Sequence, residues 1–155
     1  MYFPDLSPYT YSMKRPVPDV LNVGWLDRSM PFSKGIVPNR FVDQLRNWFS
    51  VAHVNQMRGI QECNLCRIEQ CSLLPLSDHP SITIGDRTSF LGSKEIWIPG
   101  EGGKIFASPG LVIHYVDAHE YRPPEEYIAA VMNENAMSKW NAEAEFATRA
   151  WAARR

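Results

Sequence analysis

Apolar side chains recur at helical spacing in the segment "VPNRFVDQLRNWFS". A proline stands ahead of them at position 38, where its fixed φ suits a first helical turn. The pattern predicts a first helix over residues 38–49 with one buried face. The residues on this face are Phe41, Leu45, Trp48 and Phe49.

Short apolar runs follow in the middle of the chain. "SITIGDRTSF", "KEIWIPG" and "KIFASP" are rich in Ile, Phe and Trp, and glycines separate them. Such runs predict strands joined by tight turns, so we expect a small antiparallel sheet. Upstream, "HVNQMRGIQE" predicts a short strand in which Gly59 would form a bulge.

Proline and small polar residues mark further helix starts. Ser108 followed by Pro109 is typical of an N-cap and first turn, and it predicts a helix through "PGLVIHYVDAH". "PPEEYIAAVMNE" predicts a short helix whose first-turn acids suit the helix dipole. The alanine-rich tail, residues 133–155, is also expected to be helical.

Apolar residues in the tail recur at three- and four-residue steps and predict one stripe along the helix. A stripe of this kind ordinarily docks on its own domain, and the alternative is a face offered to a partner or to a second copy. The residues of the stripe are Met137, Trp140, Ala144, Ala147 and Trp151.

The first 37 residues carry five prolines among Tyr, Phe, Trp and Leu. Such a segment is too interrupted for a helix and too aromatic for disorder. We therefore expect an arm over residues 1–37 that packs on the domain, an α+β core over residues 38–132, and a C-terminal helix over residues 133–155.

Composition narrows the class of protein. The chain has 155 residues, with 16 Lys and Arg against 17 Asp and Glu, and a formal net charge of −1. The basic residues are scattered, which argues against a dedicated nucleic-acid binder. No apolar run has the length of a membrane helix, and the N-terminus does not resemble a secretory signal, so we expect a cytoplasmic protein with no membrane partner.

Two pairs of metal-binding side chains give the strongest chemical signal. Cys63 and Cys66 have the spacing of a zinc knuckle, and His114 and His119 have the gap of paired zinc-finger histidines. We predict that these four residues bind one structural Zn²⁺. Residues five apart on an ideal helix are rotated by about 140°, so the helix that carries the histidines should loosen or end near Ala118.

Other interpretations of these residues stay open. The cysteines could form a redox pair, although their flanks lack the strand and helix of a thioredoxin-like site. The histidines could be ordinary core or surface residues. If one ligand is misassigned, the substitutes are Cys71, His53 and His79.

The predicted fold is α+β. The expected arrangement is related to ββα and treble-clef zinc folds. It combines a knuckle, a small sheet and a helix whose histidine ligands lie near its C-terminal end, and it packs against several short helices. Four protein ligands close the zinc shell, which favours a structural role over a catalytic one. Nearby carboxylates are more typical of solvated or capping positions than of a catalytic role. They are Asp117, Glu120, Glu125 and Glu126.

The chain resembles a family of small, uncharacterised bacterial proteins. The segments that carry the resemblance are "RGIQECNLC", "KEIWIPG" and "IFASPGLVIHYVDAHEYRPPEEYIAAV", which fit a C-x-x-C knuckle followed by an "HYxxxHxYxPPEEF"-like motif. "YFPDLSPYTY" and "NVGWLD" match more loosely. The resemblance covers most of residues 1–132 and leaves the tail outside. Tyr127 stands where the motif has phenylalanine, and the segment after the knuckle is longer than usual. The resemblance implies a zinc site and no particular activity.

These observations favour a non-enzymatic, zinc-stabilised protein-interaction module, and a bacterial immunity or adaptor protein is one specific form of this prediction. The expected partner is another protein rather than nucleic acid, and the oligomeric state is open. The alternatives are a metal-dependent hydrolase, for instance a nuclease of the His-metal type, and a nucleic-acid-binding regulator that uses the His114 helix.

Overall fold

The computed structural model describes residues 1–66 and 79–155 and has the predicted α+β class. The helices in these two segments are α1 Phe41–Ala52, α2 Val112–His119, α3 Glu125–Met132, α4 Glu134–Met137 and α5 Ala142–Arg154. The strands are β1 Val20–Asn22, β2 His53–Val54, β3 Ser81–Ile84, β4 Arg87–Phe90, β5 Glu95–Pro99 and β6 Ile105–Pro109.

The central sheet is mixed rather than purely antiparallel. Its strand order is β1-β6-β5-β2, and the β5–β6 and β2–β5 pairs are antiparallel as expected. The difference comes from the arm, because β1 pairs in parallel with β6, with Val20 opposite Ile105. The three residues of β1 lie between prolines and are too few to show an alternating apolar pattern. The sequence therefore did not predict this strand.

The "SITIGDRTSF" run forms a separate hairpin of β3 and β4 and does not join the central sheet. A 3₁₀ turn over Leu91–Ser93 separates this hairpin from β5. The prediction of a strand over "HVNQMRGIQE" holds for His53 and Val54 and is wrong after Val54. Asn55 takes φ 53°, in the left-handed region, and this ends β2 after two residues.

Helix α1 buries the predicted face but begins at Phe41, later than expected, because Arg40 precedes it at φ 69°. The predicted N-cap at Ser108 is wrong. Ser108 and Pro109 end β6, and α2 begins at Val112. The Ser108 hydroxyl instead makes a buried hydrogen bond of 2.7 Å with the hydroxyl of Tyr127 in α3. The α3 prediction is confirmed.

The predicted stripe of the tail is wrong, because the tail is not one helix. The Asn141 side chain accepts a hydrogen bond from the Ala144 amide and starts α5 afresh, so the helical phase does not continue from Met137. Trp140 lies outside α5, and Trp151 is 61% exposed. The residues that α5 buries are Ala142, Ala150 and Ala153.

The tail nevertheless docks on its own chain. The Phe146 ring packs edge-on against Trp97 of β5 at 5.0 Å, and the Trp140 indole donates to the Trp97 carbonyl oxygen at 2.8 Å. Aromatic side chains of the arm are likewise buried, with Tyr9 at 0% and Trp25 at 2% exposure. As domain boundaries, positions 37 and 132 stay predictions. Within the two described segments, no helix has the length and apolar character needed to cross a membrane.

A buried acid lies where the arm covers the sheet. Glu95 of β5 is 3% exposed, and Tyr9 of the arm donates its hydroxyl to Glu95 Oε1 at 2.8 Å. Asn55 donates its side-chain amide to Oε2. Burial raises the pKa of Glu95 to about 7, although the hydrogen bonds from Asn55 and Tyr9 act in the opposite direction. The folded protein therefore holds this proton more tightly than the unfolded chain does.

We predict that Glu95→Gln raises the free energy of unfolding by an amount that depends on pH. The ordinary pKa is 4.5 and the folded value about 7, so Glu95 increasingly destabilises the fold as the pH rises through this window. Glu95→Gln should be more stable than the natural chain by about 3 kcal/mol at pH 8, and the difference should shrink toward pH 5. Urea unfolding at several pH values measures it, with the exposed Glu126→Gln as the matched control. A difference that does not change with pH would contradict this account of Glu95.

Candidate metal centre

Four side chains that are distant in sequence meet at one point. Cys63, Cys66, His114 and His119 each offer one ligand atom, and these atoms all lie within 4.8 Å of one another. The Nε2 atoms of the two histidines are 3.3 Å apart. Cys66 Sγ lies 3.2 Å from His114 Nε2 and 3.4 Å from His119 Nε2, and Cys63 Sγ lies 3.4 Å from His119 Nε2.

These separations match the edges of a metal tetrahedron. With Zn–S near 2.3 Å and Zn–N near 2.0–2.1 Å, two nitrogens lie about 3.4 Å apart, and a sulfur and a nitrogen about 3.6 Å apart. Cys66 Sγ and the two Nε2 atoms form a triangle in which each atom contacts the other two. A cation shared by the three atoms would account for this closed triangle. The four residues are close enough to hold a metal ion.

Burial and backbone hydrogen bonds act in opposite directions on the Cys63 thiol. Cys63 is 5% exposed, and burial raises the pKa of its thiol. Backbone N–H groups of Cys66 and Leu65 donate to the Cys63 sulfur and oppose this rise. Since a buried thiolate needs a compensating positive charge, the site would favour a divalent cation that displaces the thiol proton.

Helix α2 brings both histidines to one side by ending at His119. Glu120 follows at φ 57°, and the amides of Glu120 and Tyr121 both donate to the Tyr115 carbonyl oxygen. The helix thus widens in its last turn, which agrees with the expectation that it loosens or ends near Ala118. Burial lowers the pKa of both histidines, so their neutral, metal-binding forms predominate near pH 7.

The arm holds the knuckle in place, and no sequence pattern predicted this contact. Asn64, inside the C-x-x-C motif, donates to Asp27 Oδ2 at 2.8 Å, and its side-chain oxygen accepts from the Arg28 amide at 3.2 Å. Hydrogen bonds from Ser29 and Asn64 lower the pKa of Asp27 to about 2, so this carboxylate remains ionised at neutral pH. The arm therefore fixes one of the two ligand-bearing segments.

The arm also holds the end of α2. The Gly35 amide donates to the Glu120 carbonyl oxygen at 3.1 Å, and the Arg122 amide donates to the Ser33 carbonyl oxygen at 2.9 Å. The two ligand-bearing segments are therefore both attached to the same ten-residue stretch of the arm, residues 27–36.

A comparison with protein families matches residues 1–132 to the model described as "Domain of unknown function (DUF7919)". The chain belongs to the DUF7919 family. All four candidate ligands lie inside the matched region, whereas helices α4 and α5 lie beyond it. No curated protein and no solved structure matches the chain.

The other candidate residues of this DUF7919 protein lie elsewhere. His53 is exposed, and its Nδ1 is 3.0 Å from the Phe49 carbonyl oxygen. His79 is buried, with Nε2 4.0 Å from Glu62 Oε1. Cys71 falls outside the described residues. The carboxylates near the histidines take part in ion pairs or helix capping. Asp117 pairs with Arg46, Glu125 with Arg122 and Glu126 with Lys104, and Glu120 is the C-cap of α2.

Gly92 is a supporting residue that sequence reasoning missed. Its carbonyl oxygen accepts the Gln61 amide at 2.9 Å, two residues before Cys63. A Cβ atom at position 92 would lie 2.1 Å from the Gln61 carbonyl oxygen, so only glycine permits this approach. The contact fixes the segment that leads into the knuckle.

Gly92→Ala should therefore disturb the metal centre without changing a ligand. We expect a loss of about 1–3 kcal/mol in the free energy of unfolding, together with weaker Zn²⁺ binding. Gly59→Ala is the matched control, because a Cβ atom there meets nothing within 4 Å. Urea unfolding and a competitive chelator titration measure both effects. Equal behaviour of the two variants would show that the Gly92 contact does not support the site.

Proposed function

We propose that the protein is a non-enzymatic protein-interaction module whose fold is held together by one structural Zn²⁺. The main support is the ligand set of two sulfurs and two imidazole nitrogens at tetrahedral separations. Thiolate and imidazole ligands in this geometry favour zinc over harder cations such as Mg²⁺ or Ca²⁺. A site that depends on reduced thiols also suits the cytoplasm, which is the location we propose.

A structural role fits the number of ligands. Catalytic zinc sites keep a coordination position for water or substrate, and four protein ligands fill a tetrahedral shell. The ion would link the knuckle to the end of α2, and both are also attached to arm residues 27–36. Its binding energy would therefore stabilise the docking of the arm as well as the local turn.

The surface chemistry favours a protein partner over nucleic acid. Among the residues that the structure describes, seven large apolar side chains are exposed, and the most exposed are Ile36 at 91% and Trp151 at 61%. The alternative regulator would insert α2 into a groove, yet this helix buries Val112, Ile113, Tyr115 and Val116 in the core. An adaptor or immunity protein is the specific form of the proposal, and a metal-dependent hydrolase is the remaining alternative.

Loss of one ligand should remove the metal and lower the free energy of unfolding. Protein purified without added metal or an affinity tag should contain one zinc per chain by elemental analysis. Cys63→Ser and His119→Ala should each lose it, and the free energy of unfolding should fall by about 4 kcal/mol or more.

His53→Ala is the matched control, since it removes an exposed histidine outside the cluster. It should retain full zinc content and stability. A well-folded natural chain that contains no zinc, or ligand variants that lose zinc and keep their stability, would contradict the structural role.

A further inference from the structure

A second candidate site lies between the arm and the central sheet. It is a cavity of about 300 Å³. The arm contributes Tyr11 and Trp25 to its lining, and the segment that leads into the knuckle contributes Met57 and Gly59. Glu95 lines it from β5. Met57 and Gly59 are exposed, so the cavity opens to solvent. Its volume is at the lower end of the range of about 300–1,000 Å³ for ligand sites, so its ligand would be small.

Glu95 is the acidic group that lines this cavity. Lys94 and Met1 line it too, but the Lys94 ammonium lies over the Phe49 ring and 3.5 Å from the Ser89 hydroxyl, and the Met1 amino group lies 3.8 Å from Asp27 Oδ2. Both carboxylate oxygens accept hydrogen bonds, but the donors, Tyr9 and Asn55, are neutral. In residues 1–66 and 79–155, no Lys or Arg side chain lies within ion-pair distance of Glu95. Arg154, on α5, lowers the pKa of Glu95 through space, but it packs over the Phe146 ring and makes no ion-pair contact with the carboxylate. A buried carboxylate without a direct ion-pair contact is costly to the fold, and a bound cation would offset that cost.

The walls suit the body of an organic cation. The rings of Tyr11 and Trp25 lie 5.0 Å apart at a tilt of 45°. The Tyr11 hydroxyl is 3.4 Å from the Met57 sulfur, which places a polarisable thioether beside the aromatic pair. Aromatic rings attract ammonium groups through their negative faces, and a nearby carboxylate adds charge complementarity.

We propose that this cavity binds a small organic ammonium ion, with Glu95 as the anionic anchor and Tyr11 and Trp25 as the aromatic walls. The ligand would contact the arm, the sheet and the segment leading into the knuckle. It would not involve the metal ligands, so the cavity and the metal centre are separate sites. The proposal stands independently of the proposed function.

Two ammonium compounds and their neutral counterparts test the proposal on the zinc-loaded full chain at pH 8. The pairs are choline with 3,3-dimethylbutan-1-ol, and benzylamine with benzyl alcohol. At least one ammonium compound should bind tenfold or more tightly than its neutral counterpart by calorimetry. Amide chemical-shift changes should centre on residues that line the cavity.

Glu95→Gln should abolish this preference for charge while the protein remains folded. Glu126→Gln is the matched control, because it makes the same change at an exposed carboxylate in another cavity. The preference should persist in this variant. Failure of both ammonium compounds to bind, equal binding of the neutral counterparts, or an unchanged preference in Glu95→Gln would each overturn the proposal.

Discussion

The meeting of two sulfurs and two imidazole nitrogens within 4.8 Å is the constraint on which the rest of the structure depends. It joins a turn at residues 63–66 to a helix end some fifty residues later. Sulfur and nitrogen atoms do not hold such a cluster together by themselves, and a thiol as buried as Cys63 resists ionisation. The four residues are close enough to hold a metal ion, and the proposed divalent cation would offset both of these costs.

The arm is the second organising feature, and it contacts both the metal centre and the central sheet. Near the metal centre it makes hydrogen bonds to Asn64, Glu120 and Arg122. At β5 it covers Glu95 with Tyr9 and packs that ring edge-on against Trp97 at 5.4 Å. The arm is thus an integral layer of the fold. Glu95, buried beneath Tyr9, is the proposed anchor of a ligand cavity under the arm.

Sequence reasoning succeeded where the signal was local and failed where it depended on distant contacts. The buried face of α1, the α3 helix and the approach of the four metal-binding residues follow from spacing within short segments. By contrast, β1 exists because β6 lies beside it, and Gly92 matters because Gln61 approaches it. Ser108 has the chemistry of an N-cap, but strand pairing with Ile96 takes precedence. The tail stripe failed because Asn141 restarts the helix.

The central claim is that two sulfur and two nitrogen atoms of this chain form the complete first shell of one zinc ion. X-ray absorption at the zinc edge of the purified protein measures this shell directly. The account predicts two sulfur ligands near 2.3 Å and two nitrogen ligands near 2.0–2.1 Å, with imidazole scattering beyond them. A shell with three protein ligands and an oxygen, or one without sulfur, would contradict the account and would favour the hydrolase alternative or a different site.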